Sequence, residues 1–365
     1  MSTKYRPAPI LVMFLSILAA AAFAQEVKPE SAASRSNLIV LPIVFHSPET
    51  RWGGGAGGLW TWGLDRYGSR PSMLTFSAVY TEKAQFTLEI KPEIFLGDGS
   101  TILSGNLEVR DYPSSFYGIG NDAPFDAGEG FTPRHVFAKI SLERKLFSGS
   151  PLYGGVAYSY DHYSFRPFEP EGRLSAGTIL GSRGGSVSGF GLGLRWDTRD
   201  GVFYPKRGQF VQAWFDVRSA AFGSDYDYMK WKTDARAYFS LGGNRVLAFQ
   251  GLLIGAGVGT PFMALPRLGG SETLRGYNSE RFRDRWLAEA QAEVRVPLFW
   301  KLGFNAFAGV GRVAASFGGL KPDGFKFAAG WGLRLKLNAE GACLRVDFGY
   351  GRGVSEMYLS AGEAF

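Results

Sequence analysis

Trp286-Leu287-Ala288-Glu289-Ala290-Gln291-Ala292-Glu293-Val294-Arg295-Val296-Pro297 is the stretch that decides how this chain folds. In an extended strand, Leu287, Glu289, Gln291, Glu293 and Arg295 fall on one face. Ala288, Ala290, Ala292, Val294 and Val296 fall on the other, because successive side chains of a strand point to opposite faces. The run is long enough to cross a bilayer as a tilted strand. The same alternation recurs along most of the chain. No membrane-length apolar helix follows the first two dozen residues. The fold class this implies is all-β: a transmembrane antiparallel β-barrel with lipid outside and a wet lumen inside.

Working outward, the alternation predicts about sixteen strands, at 38–46, 53–64, 72–82, 84–95, 101–111, 132–147, 151–165, 185–198, 208–219, 225–241, 244–259, 285–297, 301–314, 324–338, 341–351 and 354–365. Connections at 148–150, 242–243 and 297–301 are tight and alternate with long ones at 112–131, 166–184 and 260–284. That asymmetry separates periplasmic turns from external loops. Facing follows strand by strand. Tyr228, Lys230, Lys232, Asp234 and Arg236 point to the lumen, and Met229, Trp231 and Phe239 to lipid. Lys326, Arg334 and Lys336 point in, and Phe325, Phe327, Trp331 and Leu333 point out. A slip of one residue would bring these cations to the lipid face, where each costs about 2–4 kcal/mol at mid-membrane, so register is strongly specified.

Composition agrees. The 365 residues have a mean hydropathy of −0.06, with 45% hydrophobic residues, 15% aromatic residues and 50 glycines. Only every second barrel residue meets lipid, so no overall apolar excess is needed. The N-terminus reads as an export signal over residues 1–24. Lys4 and Arg6 precede the apolar run Ile10 to Ala22, and Ala22-Phe23-Ala24 is a small-x-small cleavage site. Residues 25–37 form a short polar leader, too short for a periplasmic domain, and 38–365 form the barrel in the bacterial outer membrane. The single cysteine, Cys343, excludes an intramolecular disulfide framework and shares a lumenal face with Arg345 and Asp347. The net charge of +7 reflects lumenal cations and attraction to anionic headgroups, with no basic–aromatic block for nucleic acid.

Between the eleventh and twelfth strands stands Pro266-Arg267-Leu268-Gly269-Gly270-Ser271-Glu272-Thr273-Leu274-Arg275-Gly276-Tyr277, followed by Arg281-Phe282-Arg283-Asp284. A loop that re-enters a barrel needs glycine to pass close to the wall. It also needs a planar guanidinium to hold several fixed acceptors there. The segment resembles the sixth extracellular loop of the BamA/TamA-like outer-membrane assembly barrels, the bacterial surface-antigen family. Leu274-Arg275-Gly276-Tyr277 matches that family's Arg-Gly-aromatic tripeptide. Phe116 to Asn121, Trp196 to Asp200 with Tyr204-Pro205 and Gly208, and Gly330 to Arg334 are also similar, so the resemblance spans most of Leu38 to Phe365. It implies a lumen-folded sixth loop and a terminal strand that carries an insertion signal, here Met357, Leu359, Gly362 and Phe365. Where the thirteenth strand of the family often offers an aspartate to the loop arginine, this chain has Gly309. Asp347 and Glu293 are the candidate partners of Arg275.

The resemblance implies a role in insertion or passage of polypeptide or lipid at the outer membrane. The expected partners are the membrane lipid itself and a client polypeptide or separate periplasmic subunit. Glycines 53–58 and the glycines from Gly349 to Gly353 give the regions beside the first and last strands little side-chain packing. The lumenal charges leave a second reading open, a passive anion-favouring pore, because Lys230, Lys232, Arg236, Lys326, Arg334 and Lys336 outweigh Glu289, Glu293 and Asp347. Catalysis, a cofactor and a metal are not expected. His46, His135 and His162 form no metal-spaced cluster, and no nucleophile elbow or phosphate-cradling loop is present.

Overall fold

The period-two alternation becomes a single meander of antiparallel strands. In the computed structural model of the protein, residues 36–47, 51–63, 70–97, 99–124, 128–168, 170–338 and 341–365 are described. The expected export signal and the leader up to residue 35 lie outside the described residues. Sixteen strands form one sheet, in sequence order. They are β1 (Asn37–Ser47), β2 (Arg51–Trp62), β3 (Ser72–Thr81), β4 (Phe86–Leu96), β5 (Thr101–Asp111), β6 (Pro133–Lys145), β7 (Leu152–Phe165) and β8 (Gly185–Asp197), followed by β9 (Gly208–Arg218), β10 (Tyr228–Gly242), β11 (Arg245–Ala256), β12 (Trp286–Pro297), β13 (Leu302–Ala314), β14 (Lys326–Lys336), β15 (Cys343–Gly351) and β16 (Val354–Ala361). Each pairs antiparallel with the next. Among the described residues no ladder joins β1 to β16. The sheet is therefore barrel-like with an unsealed seam.

The sheet curls until its inner face becomes an interior. Arg195 on β8 reaches Glu93 on β4 at 2.9 Å and Glu143 on β6 at 2.7 Å. Phe365, just past β16, packs with Tyr238 of β10 and Val246 and Ala248 of β11. Facing matches the alternation. On β12, Leu287, Glu289, Gln291, Glu293 and Arg295 are all buried, whereas Ala290 on the other face is exposed. Phe190, Leu192 and Leu194 on β8, Met229 and Phe239 on β10, and Phe327 on β14 are exposed on the outer wall, which is where lipid replaces water.

One strand end departs from the expectation. The last strand stops at Ala361 and does not run to residue 365. Continued alternation would have turned Glu363 outward with Leu359 and Ala361. Gly362 takes φ +79° instead, a left-handed turn that glycine adopts at little cost. The chain then bends inward, and Glu363 finds arginines rather than hydrocarbon.

The four longest connections follow β5, β7, β11 and β13, at the end of the barrel opposite the turns at 97–100, 146–151 and 298–301. Three of them pack together over that end. Phe116, Phe131, Tyr163, Leu174, Phe262, Met263 and Leu265 form one apolar cluster drawn from the loops after β5, β7 and β11 and from the end of β7 itself.

The facing argument predicts that Ala292→Lys, which places a cation mid-strand on the lipid face, lowers unfolding stability by about 2–4 kcal/mol. Lys232→Ala, on the wet lumenal face, changes it by less than about 0.5 kcal/mol. Urea titration of the protein folded into lipid vesicles, read as a shift of midpoint at constant slope, measures both.

Candidate functional site

The loop between β11 and β12 is tied to the inner wall from several sides. Its base is a two-residue ribbon, Arg267–Leu268 against Phe282–Arg283, which the sequence pattern alone did not suggest. Glu280 sits under this ribbon, 2.5 Å from Arg267 and 2.6 Å from Arg283. Burial pushes its carboxyl up, but the two guanidinium groups outweigh burial and hold it below the ordinary carboxylate range. Arg283 is fully buried, with its guanidinium over the rings of Phe116 and Phe262. This contact joins the ribbon to the apolar cap.

Deeper in the lumen, Leu268, Leu274, Tyr277 and Phe282 of the loop pack on Leu252, Leu287, Val313 and Ala328 of β11 to β14. The turn at the loop tip is held by backbone groups. The Leu274 N–H donates to the Glu289 carboxylate, and the Glu272 carbonyl accepts from the Gln291 amide at 2.7 Å. The Gly276 N–H donates to the Tyr358 hydroxyl on β16 at 3.0 Å. That hydroxyl in turn donates to the Tyr277 carbonyl at 2.9 Å, and the Tyr277 hydroxyl donates to the Phe327 carbonyl at 3.0 Å.

Arg275 lies at the centre and is fully buried. Its Nη1 donates to Asp347 Oδ2 on β15 at 2.8 Å. Its Nη2 is 2.6 Å from Glu293 Oε2 on β12, an ion contact too bent to count as a hydrogen bond. The guanidinium stacks over Phe307 of β13, 3.6 Å from the ring centroid. The structure thus brings Arg275 together with both acids named from the sequence. Gly309 faces the loop as well. A Cβ there would stand 3.4 Å from Leu274 Cδ1 and 3.0 Å from Gln291 Cβ, so the missing side chain leaves room for the loop tip. Glu293 on β12 and Asp347 on β15 supply the negative charge.

The chain passes very close to the wall at this point. A Cβ on Gly349 would fall 2.6 Å from the Arg275 carbonyl carbon, and one on Gly351 would fall 2.5 Å from the Tyr277 ring. Gly276 itself takes φ +129°. The motif glycine and the two glycines on β15 therefore form the two sides of one close approach.

Sequence reasoning missed three parts of this site. Phe307, the ring under Arg275, reads only as one aromatic in an alternating strand. Tyr358 reads as an inward residue of the last strand with no stated partner. Arg295, Arg334 and Arg345 surround the same two acids. Arg295 reaches Glu293 at 2.8 Å, Arg334 reaches Asp347 at 2.6 Å and Glu293 at 3.6 Å, and Arg345 reaches Asp347 at 3.2 Å. The cluster of arginines on the inward positions of β12, β14 and β15 was the available signal. Of the proposed insertion-signal residues, Met357 and Leu359 face outward on β16, Gly362 makes the turn, and Phe365 is buried inside. They do not share a face. Among the described residues there is no group of three or more His, Cys, Asp or Glu that could hold a metal.

A family profile described as the Omp85 superfamily domain matches residues 70–365. Among solved structures, the chain is similar to BamA from Haemophilus ducreyi lacking POTRA domains 1–3. The TM-score is 0.55 at 15% identity, covering 91% of this chain and 70% of that one. It is similar also to CdiB from Acinetobacter baumannii, with a TM-score of 0.52 at 13% identity, covering 92% of this chain and 60% of that one. At these identities the likeness is one of fold. No curated protein sequence matches.

Removing Arg275 would leave Glu293 and Asp347 buried with one cation fewer, so Arg275→Ala is expected to cost about 3–5 kcal/mol. Arg275→Lys keeps the charge but not the planar bridge between two acids and a ring, and should recover only part of that loss. Gly349→Val should displace the loop sterically and expose residues 266–284 to added protease on intact cells, while the folded barrel persists. Glu280 has a depressed carboxyl, so its stabilisation of the ribbon is fully present above its unfolded pKa of about 4.3. It is lost as pH falls through the lower folded value. Protease cleavage of the loop should therefore stay slow at pH 5 in the native protein and become fast in Glu280→Gln at every pH.

Proposed function

The chain belongs to the Omp85 superfamily, and from that membership we propose that this outer-membrane barrel assists insertion or passage of polypeptide or lipid. The observation that carries this reading is the sixth loop, locked inside the lumen through Arg275 and capped by the apolar cluster of the external loops. A passive pore needs a steady open path. This barrel instead fills much of its C-terminal half with a segment of its own chain, held by contacts that can be exchanged. Insertion or passage then involves movement of the loop, opening of the seam between β1 and β16, or both. The glycines of β2, paired to Phe45, Val44 and Ile43 of β1, leave that edge lightly packed and ease its distortion.

Residues 1–24 are proposed as the cleaved export signal and the residues from 25 up to β1 as a leader. Met357, Leu359, Gly362 and Phe365 are proposed as the insertion signal, with only the first two presented on the outer wall. The expected partners are membrane lipid and a client polypeptide or a separate periplasmic subunit. On the periplasmic side a polar cavity of about 480 Å³ lies between Trp62, Arg70, Lys145, Tyr153 and Asp197. It is on the side of the mouth away from the loop lock and is the opening a client or subunit would meet.

Planar-bilayer recording tests the reading against a pore. The native protein should be nearly silent, and deletion of 266–284 should produce large openings. Large, steady anion currents from the native protein would instead establish the pore. Paired cysteines joining β1 to β16 in a Cys343→Ser background should abolish the protein's cellular role if the seam must part; full cross-linking with an unchanged cell phenotype would remove the seam from the mechanism.

A further inference from the structure

The four residues after β16 do something that strand continuation would not. Gly362 bends the chain inward, the Glu363 side chain is almost wholly covered, and Phe365 is buried in the lumen. Glu363 Oε2 accepts from Arg334 Nε at 2.8 Å and lies 3.7 Å from Arg295 Nε. The Phe365 carbonyl accepts from Arg295 Nη2 at 2.7 Å, and the Phe365 ring packs under the same guanidinium and against Tyr238, Val246 and Ala248. Tyr204, from the periplasmic turn after β8, covers the cluster. These four residues therefore fill the periplasmic side of the lumen below the loop lock.

The same arginines serve both structures. Arg295 and Arg334 hold Glu363, and they also hold Glu293 and Asp347, the two acids that bind Arg275. In this buried group Arg275, Arg295, Arg334 and Arg345 face Glu293, Asp347 and Glu363, four side-chain cations against three side-chain carboxylates. Taking away Glu363 leaves four against two. Arg334 would then lean on Glu293 and Asp347, and Arg295 on Glu293 and the Phe365 oxygen, and the uncompensated positive charge would repel Arg275 across a water-poor space. We propose that Glu363 is a positioning residue for the loop lock: through Arg295 and Arg334 it places the two carboxylates that hold Arg275, so docking of residues 362–365 and docking of the sixth loop are coupled. The coupling does not rest on what the barrel transports. Tyr358 provides a second link from β16 to the loop tip, so strand, following segment and loop respond together.

The chain carries its own reporter. Cys343 is the only cysteine, is buried, and lies with its Sγ 3.8 Å from Glu363 Oε1. The experiment uses the full-length protein in lipid vesicles. It follows labelling of Cys343 by a water-soluble maleimide and protease cleavage of the 266–284 loop in the same samples, with heat-modifiable gel mobility reporting the folded barrel. Glu363→Gln should speed both labelling and loop cleavage on the order of ten-fold or more, the effect of losing one partner of a buried ion pair. Glu363→Asp, which keeps the charge, should restore most of the protection. Coupling is reciprocal, so Arg275→Gln should speed Cys343 labelling as well, and this arm stands even if Glu363→Gln fails to fold. Faster labelling in Glu363→Gln with loop cleavage at the native rate would overturn the proposal. So would an Arg275→Gln protein whose loop is cleaved while Cys343 stays as protected as in the native chain.

Discussion

Charge buried in a lumen must be matched in place, and this requirement organises the C-terminal half of the barrel. Arg275 enters on a loop from the far end of the molecule and meets Glu293 and Asp347 on strands that are not neighbours. Ions of this size carry a desolvation penalty of several kcal/mol each unless partners sit at contact distance. The partners do so because β12 to β15 hold them in register. Glu293 lies opposite Phe307, Arg295 opposite Asn305, and Asp347 opposite Gly332 and Tyr358. The lock is therefore a property of the whole sheet segment, and a shift of any one strand would separate charge from counter-charge.

The same constraint explains where the glycines are. The loop can approach the wall only where the wall has no side chains, and Gly349 and Gly351 provide that clearance on β15. Gly309 belongs to the same group. Its missing side chain makes room for Leu274, while the acids that hold Arg275 stand on β12 and β15. Because the acids are shared among four arginines, the lock is held collectively and no single pair dominates it.

The barrel is uneven around its circumference. Loop, ribbon and the residues after β16 fill the side from β10 to β16. The side from β2 to β8 retains a cavity at its periplasmic end, lined by the ion pair of Arg70 with Asp197 at 2.7 Å. A filled half thus lies beside an accommodating half, and among the described residues no ladder joins β1 to β16.

Much of this was legible in the linear chain. The alternation in 286–297, repeated along the chain, determined strand number, facing and the separation of short turns from long loops, because a bilayer allows only one facing for charged residues. Arg275 could be named from the resemblance of its loop to the assembly barrels' sixth loop, and Glu293 and Asp347 as its candidate partners because they fall on inward positions. What the alternation could not carry was distance between strands. Phe307 beneath the arginine, the Tyr358 hydroxyl at the loop tip and the Arg267–Glu280–Arg283 ribbon are contacts across the lumen, set by how the sheet curls. The inward turn at Gly362 belongs to the same class. Continuing the alternation sent Glu363 outward, and only the folded lumen, with Arg295 and Arg334 already in place, supplied a lower-energy position for its charge.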